Sequence, residues 1–370
     1  DNLNKGLSTV QRAVPVRTTL PQASHVLLAT DQGRLKLVAT DLMIATTCWI
    51  GATVENEGAI TVPARLLTDF VSSLPNEIVT LSVGDRGRQL HISCARNEAT
   101  MAGGSAEDFP PVPSVEDGLS LKIDPRQFKR AVNQVEFAAA ADDTRPVLTG
   151  IHTLAEDQEL TLAAADGFRL AVHKIPLSQE VAERIEVIIP ARALREVVRL
   201  LGEDDEPIEM AFNAARSQAL FRMKSVELVA TLIQGTFPNY SQLIPQSFTT
   251  RATIDLDQFR QETRIAGIFA RDGAGIVRLM LDPSENGAGR LTISARAEEI
   301  GEHRGEIDVK IEGEPAKIAF NSKYLQDVLG VLDAETVALE TTSPSSPGVI
   351  RPLGAPDDYV HVVMPMFVQW

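Results

Sequence analysis

The sequence predicts an α+β fold in which one unit of two helices and an antiparallel sheet is written three times in tandem. Three observations predict it. The chain has 370 residues, more than one ordinary core organises. A set of markers returns in one order at one long period. Within each period the same sequence of helical and strand patterns recurs.

The markers are specific. Pro63-Ala-Arg-Leu-Leu-Thr-Asp-Phe-Val-Ser-Ser-Leu74 matches Pro190-Ala-Arg-Ala-Leu-Arg-Glu-Val-Val-Arg-Leu-Leu201, and both match Asn321-Ser-Lys-Tyr-Leu-Gln-Asp-Val-Leu-Gly-Val-Leu332 more weakly, at offsets of 127 and 131 residues. Asp108-Phe-Pro110, Thr236-Phe-Pro238 and Val363-Met-Pro365 follow at 128 and 127. A third set is Leu37-Val-Ala-Thr-Asp41, Leu162-Ala-Ala-Ala-Asp166 and Leu291-Thr-Ile-Ser-Ala295. This period exceeds that of solenoid repeats, so each copy reads as a whole domain. Turn residues cluster at 113–119 and 245–250, which sets the domains at 1–116, 117–246 and 247–370.

Each domain opens with a helix, expected over 3–14, 125–138 and 256–269. The second has Asp124 at its N-cap and Pro125 in its first turn. Strands follow, such as 26–30 and 160–164, with partners set off by Asp31-Gln-Gly33 and Glu156-Asp-Gln158. The helix of the first marker comes next, then further strands including 79–83, 90–94 and 219–223. Helices on one face of an antiparallel sheet make the domain α+β.

With 44% hydrophobic and 23% charged residues the composition is that of a globular protein. No apolar run approaches the roughly 18 to 20 residues a membrane helix needs, so no membrane partner is expected. The first apolar stretch is broken by Lys5, Gln11 and Arg12, unlike a secretory signal. Cys48 and Cys94 are the only cysteines and have no metal-ligand spacing, which points to the cytoplasm.

The net charge of −15 argues against nucleic-acid binding by an overall positive field. The positive charge is nevertheless sorted. Opening helices carry Lys5 and Arg12, then Arg126, Lys129 and Arg130, then Arg260 and Arg264; the second helix of the middle domain adds Arg192, Arg195 and Arg199. Acid gathers elsewhere, as at 203–206 and 357–358. Taken singly, such residues could coat any solvated helix. Taken together they favour a helical surface facing phosphates, blind to sequence and sensitive to salt. A protein-binding scaffold that never meets DNA stays open beside this reading.

No catalytic constellation appears. The histidines at 25, 91, 152, 173, 303 and 361 form no His-Glu-x-x-His, and there is no Gly-x-Ser-x-Gly or P-loop. Asp166-Gly167-Phe168 has the letters of the kinase Asp-Phe-Gly signature in another order, without its companion motifs. Asp41 and Asp166, at equivalent places in two domains, read as turn or capping residues. No enzyme activity, metal or cofactor is expected.

The repeats and the segments Ala164-Ala-Asp-Gly-Phe-Arg-Leu-Ala-Val172, Phe237-Pro-Asn-Tyr240, Phe320-Asn-Ser-Lys-Tyr-Leu325 and Tyr359-Val-His-Val-Val-Met-Pro-Met366 resemble the β subunit of bacterial DNA polymerase III, the sliding clamp. The resemblance spans essentially the whole chain. It implies a head-to-tail homodimer whose helices line a ring around double-stranded DNA, a processivity factor that slides and tethers its partners. DNA polymerases, the clamp loader and repair proteins would dock through a short peptide with a Gln and a Leu-Phe-like end. It implies nucleoid association within the cytoplasm.

Carried over by motif, the peptide pocket comprises Leu148, Gly167, Phe168, Arg169, Leu170, Pro238, Leu243, Asn321, Tyr324, Pro344, Ser346, Val362, Val363, Met364, Pro365 and Met366. Arg169, Asn321 and Ser346 are the expected polar contacts, and Met and Val the adaptable apolar slot. Without the resemblance, the Met-Pro-Met segment would read as an ordinary buried strand. Arg17, before Thr18-Thr-Leu-Pro21, joins the basic helix residues as a DNA contact. Met101 on one side, and Ile268 and Phe269 on the other, are the implied dimer contacts. The chain departs from the family at Phe168, Ala274 and Pro344 and in the tail 367–370, which bears on peptide preference.

Overall fold

A computed structural model describes the chain apart from residues 85–86, 116–117, 203–205 and 355–357. The acidic residues 203–205 and 357, and the first domain limit at 116/117, therefore lie outside the described residues.

The three copies are visible in the element order. The first has α1 (Asn2–Val10), then β1 to β4 (His25–Asp31, Arg34–Thr40, Ile44–Gly51, Ala59–Pro63), α2 (Ala64–Ser73) and β5 to β7 (Val79–Val83, Gln89–Cys94, Asn97–Ala102). The second runs β8 (Leu119–Ile123), α3 (Pro125–Val135), β9 to β12 (Gly150–Glu156, Glu159–Ala165, Arg169–Pro176, Ile185–Pro190), α4 (Ala191–Leu200) and β13 to β15 (Ile208–Phe212, Gln218–Arg222, Val226–Thr231). The third repeats it with β16 (Thr250–Asp255), α5 (Leu256–Arg271), β17 to β20 (Ile276–Pro283, Ala288–Ala297, Gly301–Gly313, Ala316–Asn321), α6 (Ser322–Val331) and β21 to β23 (Thr336–Thr341, Gly348–Leu353, Tyr359–Val363). Short 3₁₀ turns finish the first two opening helices, at Gln11–Ala13 and Glu136–Ala138. The helical spans expected from periodicity therefore end in a tighter last turn.

Local chemistry explains the elements. The β1–β2 hairpin turns at Gln32 and Gly33, both at positive φ (49° and 74°), the conformation that two-residue hairpins require. In α5 the buried residues Leu256, Phe259, Thr263, Ala266 and Ala270 recur every three or four positions and form one stripe. Asp255 caps this helix by accepting from the Gln258 amide at 2.9 Å.

The strands divide into two compact units. One holds Asp1–Arg126 with Glu196–Leu232, and the other Gln127–Arg195 with Ile233–Trp370. The middle copy is thus shared, because its two half-sheets continue into different neighbours. In the first unit the order is β4-β1-β2-β3-β15-β14-β13-β8, with β5-β6-β7 as a separate sheet. In the second it is β12-β9-β10-β11-β23-β22-β21-β16-β19-β18-β17-β20. The joints are antiparallel: β3 meets β15 from Ile44↔Ala230 to Cys48↔Val226, and β11 meets β23 from Arg169↔Val363 to His173↔Tyr359.

The core of the first unit gathers Leu7 and Val10 of α1, Leu67 and Val71 of α2, and inward strand residues including Val26, Leu37, Ile60, Leu90 and Ile92. Met101 is packed in this core and only 4% exposed. The sequence assigns it as a dimer contact; its side chain sits opposite Leu90 in the register, on the inward face of β7.

In the second unit, His361 is fully buried, stacked on Phe137 at 5.5 Å and hydrogen-bonded through Nδ1 to the Tyr359 hydroxyl at 3.3 Å. Burial, and then the Arg169 guanidinium, push the imidazole down to about 3. The folded protein holds it neutral, whereas the unfolded chain takes up a proton near pH 6.5. Its stabilising contribution is complete above pH 6.5 and is lost as the pH falls towards 3. The urea midpoint should therefore drop between pH 6.5 and 4.5, and less steeply in His361→Phe. Equal slopes for the two proteins would contradict this account.

Candidate functional site

The β11–β23 joint builds the candidate site. Just before β11, the Asp166 carboxylate accepts from the amides of Phe168 and Arg169 at 2.8 and 3.0 Å. Asp41 does the same for Met43 and Ile44 in the first copy, at 3.0 and 2.8 Å, so both aspartates hold turns. Gly167 has φ +93°, a left-handed conformation that favours glycine, and the Arg145 guanidinium packs close above it. The Met364 amide donates to the Phe168 carbonyl at 2.8 Å. Together these bonds present Phe168 and Met364, 58% and 43% exposed, at the end of the joint.

Two apolar clusters lie beneath. One holds Leu148, Ile188 and Phe237; the other holds Ala163, Leu170, Val172, Val349, Val360 and Val362. Tyr240 packs against both. Its hydroxyl bonds His152 Nδ1 at 3.2 Å, and His152 Nε2 bonds Glu186 at 3.0 Å. Burial, with Glu186 adding to it, pushes the phenol up to about 12, so it stays a neutral hydrogen-bonding strut. The Tyr240 carbonyl accepts from the Leu243 amide at 2.9 Å, and the Leu243 side chain remains 54% exposed.

Arg169 is the polar centre. It is 8% exposed, and each guanidinium nitrogen has an acceptor: Nε donates to Asp166 at 3.0 Å, Nη1 to Asp327 at 2.6 Å and Nη2 to the Phe137 carbonyl at 2.6 Å. It lies over the rings of Tyr324 at 4.4 Å and Phe137 at 5.2 Å. Asn321 caps α6 by accepting from the amides of Lys323 and Tyr324. Ser346 bonds Ser343 at 2.8 Å. Arg169 and Asn321 Oδ1 thus hold the walls through bonds inside the protein.

Among the other residues assigned to the pocket, Gly167, Phe168, Pro238, Leu243, Pro344 and Met364 are exposed, and Tyr324, Ser346 and Met366 are half-buried. Leu148, Leu170, Val362, Val363 and Pro365 are buried. Val363 has no exposed surface, so it seats β23 and cannot touch a ligand without rearrangement. The tail follows the open edge of β20: the Met366 amide donates to the Ala319 carbonyl at 2.7 Å, and Lys317 lies over Trp370 at 5.7 Å. Phe168 stacks near Tyr324, with centroids 6.4 Å apart. Ala274 is exposed in the turn after α5. Tyr240, His152, Glu186 and Asp327 were not singled out from the sequence. Only Tyr240 carried a signal, in the Phe-Pro-Asn-Tyr segment.

The basic residues fall into two groups. Lys5, Arg12, Arg17 and Lys129 are exposed and have no carboxylate partner among the described residues. Arg126 and Arg192 are also exposed and make local contacts. Arg130 lies 3.7 Å from Asp358, Arg199 2.6 Å from Glu196, and Arg195 Nε 3.0 Å from Glu136. Such half-exposed pairs contribute about 0–1 kcal/mol, so a phosphate can replace the carboxylate at little cost. In the third copy, Arg260 donates to the Leu329 carbonyl at 2.6 Å and to that of Leu332, satisfying the end of α6. Arg264 stands exposed beside it in a hollow of about 420 Å³ between α5 and α6. Ile268 is 56% exposed, and the half-buried Phe269 stacks on His303 at 5.9 Å. No group of three or more potential metal-ligating side chains occurs among the described residues, and no helix there is long and apolar enough to cross a membrane.

Three copies of one α+β unit, joined strand to strand, define the DNA-clamp fold. The chain belongs to the DNA polymerase III beta subunit family: it matches the family's N-terminal domain over residues 1–113, its central domain over 122–239 and its C-terminal domain over 241–367. It is 35% identical to the beta sliding clamp of Synechococcus elongatus, covering 99% of this chain and 97% of that one. Among solved structures, the sliding clamp of Bacillus subtilis superposes with a TM-score of 0.93 at 27% identity, covering 99% of this chain and 97% of that one. The DNA polymerase III beta subunit of Pseudomonas aeruginosa does so at 0.91 and 29% identity, covering 99% and 98%.

Replacing Asp327 with Ala leaves the buried Arg169 one carboxylate short. A loss of about 2 kcal/mol in urea unfolding is expected, the usual cost of a hydrogen bond to a charged group. An unchanged midpoint would show that Arg169 does not depend on that bond.

Proposed function

We propose that two copies of this chain close head to tail into a ring around duplex DNA, which slides and tethers DNA polymerases as a processivity factor without catalysing a reaction itself. The observation that carries the reading is the state of the strand edges. By element order β3, β11 and β19 are equivalent, as are β7, β15 and β23. Within the chain β3 pairs with β15, and β11 with β23. The members left over are β7, at an edge of its sheet, and β19, whose residues 301–309 pair with β18 alone. An antiparallel β19–β7 contact between copies would continue the series and close it. The exposed Glu298, Glu299 and Glu302 beside β19 suit the exposed Arg88 and Arg96 beside β7.

On this reading the domains are 1–116, 117–246 and 247–370, the ring contact uses Ile268 and Phe269, and the protein works in the cytoplasm at the nucleoid. DNA meets Lys5, Arg12, Arg17, Arg126, Lys129, Arg130, Arg192, Arg195 and Arg199 through its phosphates. Polymerases, the clamp loader and repair proteins dock by a short Gln- and Leu-Phe-containing peptide. Its apolar end lies against Phe168, Leu243, Tyr324 and Met364, above the Tyr240-centred floor, with Arg169 as the rigid support. Relatives are consistent with a ligand site of some kind: a Pseudomonas aeruginosa sliding clamp has been solved bound to griselimycin.

Titration with a fluorescent Gln-Leu-x-Leu-Phe peptide should give micromolar binding, weakened about tenfold in Met364→Ala. No binding, or binding indifferent to Met364 and Phe168, would remove this site from the account. Changing Arg12, Arg17 and Lys129 together to Glu should shorten residence on circular DNA after loading while sparing peptide affinity. Unchanged residence would count against the basic residues as the DNA-facing set.

A further inference from the structure

The second and third copies meet through side chains as well as backbone. Arg169, the first residue of β11, reaches α6, where it donates to Asp327 at 2.6 Å and covers Tyr324 at 4.4 Å. It also lies over Phe137, just beyond the end of α3, at 5.2 Å. Each of these residues has a counterpart elsewhere in the chain.

In the second copy Leu162 pairs with His173, and in the third the same marker residue, Leu291, pairs with Ile307. Four residues along the marker, the Asp166 amide bonds the Arg169 carbonyl, and Ala295 pairs with His303. His303 therefore occupies the Arg169 position. At the head of the second helix, Asn321 corresponds to Pro63, so Tyr324 and Asp327 correspond to Leu66 and Asp69. Phe269 takes the place of Phe137 by contact: it lies against His303 as Phe137 lies against Arg169.

Half of the arrangement is already assembled. His303 stacks on Phe269 with centroids 5.9 Å apart and planes 17° from parallel. Its Nε2 is buried without a hydrogen bond, 3.5 Å from the Glu262 carboxylate. Gly305 makes that space, since a Cβ there would fall 1.9 Å from Glu262 Oε2. The other half stands uncovered on α2: Leu66 is 54% exposed, and the exposed Asp69 carboxylate has no partner among the described residues.

We propose that on ring closure His303 of one copy takes the role that Arg169 plays within the chain, seating against Leu66 and pairing with Asp69 of the second copy. The proposal rests on the ring reading above. It gives α2 a function and supplies His303 with a second carboxylate beside Glu262. It also sets the two kinds of joint apart. A guanidinium offers five donors and holds the internal joint permanently, whereas an imidazole offers at most two. The weaker version falls at the joint that must open for a closed DNA circle to enter.

The test is a dimer dissociation constant measured on the full chain by mass photometry and sedimentation across a dilution series. The proteins are wild type, Asp69→Ala, His303→Ala and the double variant. Each ring holds two such contacts, so either single change should raise Kd about tenfold, and the double change should raise it no further. His303→Arg should lower it. A dimer whose Kd ignores both residues, or whose two effects multiply, would overturn this contact and leave the ring standing. A wild-type chain that is monomeric at every concentration would overturn the ring and the contact with it.

Discussion

Backbone hydrogen bonding at strand edges is the constraint on which the rest of this structure depends. An antiparallel strand at the margin of a sheet carries a row of amide and carbonyl groups that must find partners or face water. Here the margins of successive copies find each other. β3 takes β15 and β11 takes β23, so four sheets merge into two long ones, while β5-β6-β7 stays apart. The compact units follow these joints and cut across the middle copy. The ring proposed above applies the same rule to the edges that remain.

The joints also place the chemistry. A turn held by Asp166 and the exit of β23 converge where β11 and β23 begin to pair, so the candidate site arises from residues about two hundred positions apart. Its polar members face inward. Each guanidinium nitrogen of Arg169 has an acceptor, in two carboxylates and a carbonyl, and Asn321 Oδ1 accepts from the first amides of α6. What remains for a partner is apolar and adaptable: Phe168, Leu243, Met364 and the face of Tyr324. Rigid polar walls around a soft apolar surface suit one site to several peptides that share an anchor and differ elsewhere. Charge follows a similar division. Lys5, Arg12 and Lys129, at the opening helices, have no carboxylate partner among the described residues, whereas Arg130, Arg195 and Arg199 are held in weak, exchangeable pairs.

Much of this was legible in the sequence, for identifiable reasons. The three markers, the hairpin turns and the helical stripes are local or periodic signals; the first marker falls on α2, α4 and α6 and the third on β2, β10 and β18, while the Phe-Pro and Met-Pro marker falls largely in loops. Asp41 and Asp166 were readable as turn residues because a short acid beside a left-handed position has few other uses. The burial of the Met101 side chain was legible too: Leu90 and Ile92 face inward, and Met101 pairs directly with Leu90. Other features were beyond reach. Nothing local to Arg169 announces a bond to Asp327, 158 residues away, and the division of the middle copy depends on which strands pair between copies. The exposure of Ile268 and Leu66, on helices whose stripes look complete, gains its meaning only when the copies are compared in three dimensions.

The most direct measurement of the central claim is amide hydrogen exchange, followed strand by strand from concentrations that favour the dimer to those that favour the monomer. Continued sheet pairing between copies predicts that amides of β7 and of residues 301–309 in β19 are protected at high concentration and lose protection on dilution. Those of β15 and β23, paired within the chain, should stay protected throughout. If β7 and β19 exchange at one rate at every concentration, the leftover edges do not close the ring, and the account built on them fails.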